Sequence, residues 1–432
     1  MNKDIIIFCR EYNDIDHMSP IAYKLLQESR VESVKFINYK IPVTYKNDYR
    51  VIFLESNDRF LYFNLIDLIK DADLDEENET FFDVVNKALM KIPRLRGAIN
   101  RSKRTIKKLK KQKVGSGYQP KYSEIYSNFD FDSIIQGSKE NVIFLFDQSN
   151  SALLDNAYDY TKKYQIPIGL LMHGLNPTDN YLMGNEMLNI DKLKDASTDL
   201  NKCDTFFVNN NHYKNRCAFH GIDEKKIQMC GSARFSNEWS NILNEITPSS
   251  ILPQLSSEYV KVVVMLNKFH YNTWYEETVR VVNTLLSMKD VFVIVKPQTR
   301  NMSFDFSNDS ENLLIVDNNI HSRDLIKWSD VTLFGISSIF LDALLLDKPL
   351  LHLRLTTSNR LACHNIIKTW NIDCRDDLLT WIKRFSDDPN SRTYTDEERL
   401  KCLNNYVNDA DNKVLDRYTE KILSMKPKEL LH

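Results

Sequence analysis

Apolar runs of strand length alternate with stretches of helical period along most of this chain, and the rhythm is plainest from residue 141 onward. NVIFLFD (141–147), IPIGLLMHG (166–174), CDTFFVNN (203–210) and KIQMCGS (226–232) read as strands; SALLDNAYDYTKKY and NHYKNRCAFHG read as the helices between them, the second with Gly221 at its end. A second series runs through YVKVVVML (259–266), VFVIVKP (291–297), NLLIVD (312–317) and SDVTLF (329–334), with helices over TWYEETVRVVNTLLSM and HSRDLIKWS. Strands that are apolar on consecutive residues and alternate with short helices predict parallel sheets covered on both faces. Upstream, DIIIFC (4–9), VKFINY (34–39) and YRVIFLE (49–55) are expected strands, with a helix around Pro20 to Gln27. The end of the chain, from CRDDLLTWIKRF onward, is helical and charged.

The stretch 236–257 carries two prolines and many serines without a strand pattern, and is expected to link two domains. A chain of 432 residues is also too long for one ordinary core. The predicted class is therefore α/β: two Rossmann-like doubly wound domains, 1–240 and 255–432, facing a cleft, the second carrying the C-terminal helices. One segment differs from its surroundings. Between 81 and 113, Ile92, Leu95, Ile99, Ile106 and Leu109 fall on one helical stripe, and Arg94, Arg96, Arg101, Lys103, Arg104, Lys107 and Lys108 cover much of the remainder. Such a basic amphipathic helix suits an anionic membrane surface or an anionic acceptor; a solvated helix packed on its own domain is the plainer alternative.

Composition narrows the classes. Hydrophobic residues are 42%, charged residues 27% and the net charge −2, so no general polyanion-binding surface is implied and nucleic acid is not an expected partner. No apolar run approaches the roughly 20 residues of a membrane span, and the N-terminus reads as a strand, its apolar core being too short for a signal peptide. The seven cysteines are scattered, with no C-x-x-C pair, which argues for reduced thiols in a cytoplasmic protein and against a disulfide framework or a zinc site.

In doubly wound sheets the chemistry gathers just past the carboxyl ends of strands. On the N-terminal side that condition selects Asp147, His173 with Gly174, and Ser232 with Arg234. His173 is the first candidate for a general base and Asp147 its rival, with a structural loop histidine and a helix cap as the plainer readings. On the C-terminal side it selects Lys268 and His270, then Lys296, Gln298 and Arg300, and then the turn Gly335-Ile336-Ser337-Ser338 ahead of SSIFLDALLLD. A small-residue turn opening a helix aims backbone N–H groups and hydroxyls at one point, where a phosphate fits, and Lys296 and Arg300 would neutralise it. Neither a G-x-x-x-x-G-K-[ST] loop, nor a G-x-G-x-x-G after a strand, nor a G-x-S-x-G elbow, nor H-E-x-x-H occurs.

Taken together, SDVTLFGISSIFLDALLLDKPLLHL, VFVIVKPQTRN, CDTFFVNN…KIQMCGSARFSNEW and HGLNP resemble segments of the GT-B type glycosyltransferases of bacterial surface-polysaccharide assembly and of the CDP-glycerol glycerophosphotransferase-like group. The likeness spans roughly residues 141–355. The turn Lys296-Pro297-Gln298 departs from it in lacking a histidine, and Gly335-Ile336 stands where the glycerophosphotransferases have Thr-Asp. Loss of that acid favours a sugar donor over a CDP-alditol. The resemblance implies a glycosyltransferase that moves a sugar from a nucleotide-sugar donor to a capsule or lipopolysaccharide acceptor, free or lipid-linked. It implies no bound metal or cofactor, inversion at the sugar, and work in the cytoplasm at the inner face of the membrane. It assigns Ser337, Ser338, Lys296 and Arg300 to the donor phosphates and His173 to the acceptor side or catalysis. The alternatives are a CDP-glycerol or CDP-ribitol phosphotransferase, a UDP-sugar 2-epimerase, and a non-catalytic glycan- or partner-binding protein.

Overall fold

The computed structural model describes residues 2–40, 43–69, 120–148, 151–172, 174, 177–178, 182–183, 186–187, 199–267, 269, 273–298, 310–317 and 319–427. The basic segment with Arg94, Arg96, Arg101, Lys103, Arg104, Lys107 and Lys108 lies outside them, as do His173, Lys268, His270 and Arg300.

Fourteen strands are present among the described residues: β1 Lys3–Cys9, β2 Val31–Asn38, β3 Phe60–Asn64, β4 Val142–Asp147, β5 Ile168–Leu171, β6 Leu182–Met183, β7 Glu186–Met187, β8 Thr205–Val208, β9 Ile227–Met229, β10 Val260–Met265, β11 Val291–Lys296, β12 Leu313–Ile315, β13 Val331–Phe334 and β14 Leu350–His352. Apart from the small antiparallel pair β6–β7, they form a seven-stranded sheet, β3-β2-β1-β4-β5-β8-β9, and a five-stranded one, β12-β11-β10-β13-β14. Every pairing within these two sheets is parallel.

The period-2 geometry of a strand explains the continuous apolar runs. Ile5, Ile7 and Cys9 of β1 enter the core on one face of the first sheet, whereas Ile6 and Phe8 enter the core on the other. β10 divides in the same way, with Val263 and Met265 on one side and Val262 and Val264 on the other. Helices cover both faces, so the central strands β1, β4 and β10 have almost no solvent side on which to carry polar residues.

Two expectations are corrected, and the expected linker stretch holds a helix. YRVIFLE is a helix, Tyr49–Glu55, and the third strand of its sheet is Phe60–Asn64. Asp48 caps that helix by accepting from the Arg50 N–H at 3.0 Å, and Arg50, Val51 and Leu54 form its buried face, a spacing of three that a strand would have split between two faces. The first helix runs Tyr12–Leu25, starting two turns before Pro20. Proline commonly marks a first turn, but here Glu11 and Asp14 form a capping box upstream and Pro20 sits within the helix. The serine-rich stretch begins with a helix, Asn237–Ile246, capped by Ser236 and carrying the fully buried Trp239 into the core of the first sheet.

The C-terminal helices divide between the two sheets. Arg375–Asp387 and Asp396–Tyr406 pack on the second, while Val414–Leu423 returns to the first, where Val414, Leu415, Tyr418 and Ile422 join its core. Among the described residues no helix is long and apolar enough to cross a membrane.

Candidate functional site

The carboxyl ends of the two sheets open onto one cleft of about 590 Å³. The first domain contributes the start of the helix Tyr12–Leu25, then Tyr49 and Arg50, Gln148, Gly174 and Arg234; the second contributes Lys296–Gln298, Ile320–Arg323, Ser337–Ile339 and Asp342. Six of the predicted residues therefore meet there as walls of the cleft: Ser337, Ser338, Lys296, Gln298, Arg234 and Gly174.

A row of alternating charges runs across the floor between the domains. Arg50 donates from Nη2 to Asp48 at 2.7 Å and from Nη1 to Asp16. Arg234 donates from Nε to Asp16 and lies 3.2 Å from Asp342 through Nη2. Arg323 in turn donates from Nη1 to the other oxygen of Asp342 at 2.9 Å, and its Nη2 reaches Ser240 Oγ at 3.0 Å and Asn244 Oδ1 at 3.1 Å. Burial pushes the Asp16 carboxyl upward, but Arg234 and Arg50 outweigh it and hold the group below the usual carboxylate range. For Arg234, burial works against the charge while Asp16 and Asp342 more than restore it. Asp16 and Arg234 thus hold each other charged, as buried charges must be paired to remain so.

At the second domain's end of the cleft the Ser-Ser turn differs from a simple capped helix. The helix it opens, Ile339–Leu345, has seven residues. Ser337 Oγ accepts from the Ile339 N–H at 3.3 Å, whereas Ser338 is itself in the right-handed helical conformation, makes no cap bond, and has its Oγ 3.4 Å from Arg234 Nη1. The contact crosses between domains. Gly335, just before, allows a close approach, because a Cβ there would stand 1.7 Å from Asn267 Nδ2. Lys296 is more committed than a free phosphate clamp: its Nζ donates to the carbonyls of Asp317 at 2.9 Å and Ile320 at 2.6 Å. Burial pushes its pKa down to about 8, with Asp317 opposing.

Two expected cleft residues are elsewhere. Asp147 is fully buried at the end of β4, where it accepts from Tyr39 Oη at 2.8 Å and pairs with Arg10 at 3.3 Å, and it lines no part of the cleft. A carboxylate so enclosed cannot reach a substrate hydroxyl. Its neighbour Gln148 takes the cleft position. Ser232 is also fully buried, with its N–H donated to the Val407 carbonyl at 2.7 Å.

Asp16, His17, Arg50, His321, Arg323 and Asp342 also line the cleft and are not among the residues expected from the sequence. Some signal was available. REYNDIDH is a polar run directly past the carboxyl end of β1, the same criterion that selected His173 and Lys296. His17 is 7% exposed, with its ring edge-on to Phe235 at 6.4 Å between centroids. Burial lowers the His321 pKa, with Asp324 opposing.

No protein-family model matches the chain, and no curated protein matches it in sequence. Solved structures do match its architecture along nearly the whole length. UDP-GlcNAc 2-epimerase from Neisseria meningitidis bound to UDP-GlcNAc superposes with a TM-score of 0.56 at 12% identity, over 98% of this chain and 99% of that one. UDP-N-acetylglucosamine 2-epimerase from Rickettsia bellii gives 0.50 at 12%, over 98% and 95%. A glycosyltransferase from Rickettsia africae gives 0.50 at 14%, over 98% and 99%. At these identities the likeness is one of fold, and the fold is the GT-B architecture, two Rossmann-like domains facing one cleft.

Proposed function

We propose that the cleft holds a nucleoside diphosphate sugar and that the chain is an enzyme acting on it, with 2-epimerisation of a UDP-sugar as the first reading. The cleft itself carries the proposal. It lies past the carboxyl ends of two parallel sheets, is lined from both domains by guanidinium, ammonium and hydroxyl groups, and has a volume suited to one small ligand. Support for the epimerase reading comes from the Neisseria and Rickettsia bellii proteins of the same fold, the first with UDP-GlcNAc bound. Ser337, Ser338, Arg234, Gln298, Lys296 and, by sequence, Arg300 are the proposed partners of the diphosphate. His17 and His321, together with His173 one residue before Gly174, are the proton-transfer candidates. Epimerisation beside the anomeric carbon moves a proton on carbon and puts negative charge on a departing diphosphate, and cations at that end of the cleft stabilise such charge.

Incubation with UDP-GlcNAc alone in deuterated water, followed by proton NMR, tests this directly. A 2-epimer carrying deuterium at C2 is expected. The second reading is sugar transfer to a surface-glycan acceptor, favoured by the Rickettsia africae glycosyltransferase of the same fold and by the sequence resemblance. It predicts UDP release only when an acceptor glycan is added, with no exchange at C2. If neither exchange nor release occurs across UDP-, CDP- and GDP-sugars, the enzyme reading fails and glycan or partner binding takes its place.

A further inference from the structure

We infer that Asp16 is a positioning residue which, with Asp342, fixes the plane of Arg234 against Ser338, so that the phosphate-binding end of the cleft is assembled from both domains. The inference rests on the nucleotide reading above and adds to it a specific device within the chain.

An arginine offers five N–H donors in a rigid fork. On Arg234 the Nε donor goes to Asp16 from the first domain's first helix, one Nη2 donor goes to Asp342 from the second domain, and Nη1 stands beside Ser338 Oγ at 3.4 Å. That last contact is the long one, and Nη1 keeps donor capacity next to a hydroxyl that makes no cap bond. Two carboxylates on different nitrogens prevent the guanidinium from rotating. Each carboxylate is itself fixed from behind, Asp16 by Arg50, whose side chain is 1% exposed, and Asp342 by Arg323.

The charges of this row cancel: Arg50, Arg234 and Arg323 against Asp48, Asp16 and Asp342. It therefore adds no net positive field to attract a polyanion. Its contribution is directional, an N–H edge from one domain held beside a hydroxyl from the other, and charge-assisted bonds to phosphate depend on that geometry. Because Asp16 and Asp342 belong to different domains, the edge points correctly only when the domains are seated together.

The idea separates from plain electrostatics by sign. Neutralising Asp16 raises the local positive charge, so a field effect alone makes a diphosphate bind more tightly. Loss of positioning makes it bind more weakly. Isothermal titration of the full chain with UDP and with uridine reads the difference. For Asp16→Asn we expect UDP affinity roughly tenfold weaker, uridine affinity unchanged, and partial recovery in Asp16→Glu. Arg234→Lys, which keeps the charge and loses the fork, should behave like Asp16→Asn and decides the matter alone if that variant does not fold. UDP bound as tightly as in the wild type, or more tightly, by Asp16→Asn or by Arg234→Lys overturns the inference while leaving the nucleotide reading intact. An equal loss for uridine also overturns it, by showing general damage to the cleft. Failure of the wild-type chain to bind UDP removes the nucleotide reading, and the inference with it.

Discussion

Asn267 occupies the space that a side chain on Gly335 would need. Strands β10 and β13 are paired neighbours, with Met265 opposite Phe334, so the residues just past their carboxyl ends meet. A Cβ on Gly335 would lie 1.7 Å from Asn267 Nδ2 and 2.7 Å from its Cγ. Asn267 is buried, which leaves its amide little room to retreat. Gly335→Ala should cost about 1–3 kcal/mol of stability, the usual range for overpacking. Urea unfolding of Gly335→Ala, Asn267→Ala and the double variant checks the cause: if the two effects simply add, the clash is not responsible, because residues in contact should couple.

Lys296 is a cleft group whose charge should change in an accessible range. Its folded pKa is lowered to about 8 by burial, below the ordinary lysine value near 10.4. Between those values the unfolded chain binds more protons than the folded one, so this group should make stability rise with pH across that window and leave it flat below. Ligand affinity should run the opposite way, since the ammonium is lost as pH passes about 8. UDP binding measured by titration calorimetry is expected to weaken over the same window in the wild type and to be flat in Lys296→Met. A parallel decline in Lys296→Met would place the titrating group elsewhere.

Asp342 joins two arginines and is 4% exposed at its side chain. Removing one member of a buried charged set strands the others, which typically costs about 3–5 kcal/mol. Asp342→Ala should therefore be strongly destabilising by chemical denaturation. Pairing it with Arg323→Met should restore part of the loss, because the stranded guanidinium is then gone. No recovery in the pair would mean that packing of the helix Ile339–Leu345, and not charge, accounts for the cost.

How far these relationships were legible in the sequence depends on what each one needs. Both parallel sheets could be read because DIIIFC, NVIFLF and VKVVVM are apolar on consecutive residues, and only burial on two faces makes such runs. The helix Tyr49–Glu55 could not, since YRVIFLE has strand composition and its helical face depends on Arg50 finding Asp16 and Asp48. Ser337, Ser338, Lys296 and Arg234 were found by their place after strands, a local property. Arg323 and Asp342 became site residues through partners as much as 108 residues away, which no spacing displays. Asp147 met the local rule and is still buried beside Arg10 and Tyr39, because which way a strand-end side chain turns is set by packing.

The return of the C-terminal helix to the first sheet bears on the cleft as well as on stability. Residues Cys230, Gly231 and Ser232 are held by the far end of the chain: Arg417 Nε donates to the Cys230 carbonyl at 2.8 Å, Tyr418 Oη to the Gly231 carbonyl at 3.1 Å, and the Ser232 N–H to the Val407 carbonyl at 2.7 Å. Arg234 follows two residues later. Gly231 adopts φ +97°, and a Cβ there would lie 2.5 Å from Val414 Cγ2 and 2.9 Å from the Val407 carbonyl oxygen. Gly231→Ala therefore combines a backbone conformation that side chains avoid with a collision against the helix Val414–Leu423. The first should cost about 1–3 kcal/mol, and the second should loosen the helix from its seat. Hydrogen exchange is expected to rise in 414–423 and in 230–235 together, with UDP affinity reduced in the same variant. Exchange rising in the terminal helix alone, with UDP binding intact, would show that the turn carrying Arg234 is held by the first domain itself and that the returning helix serves only its core.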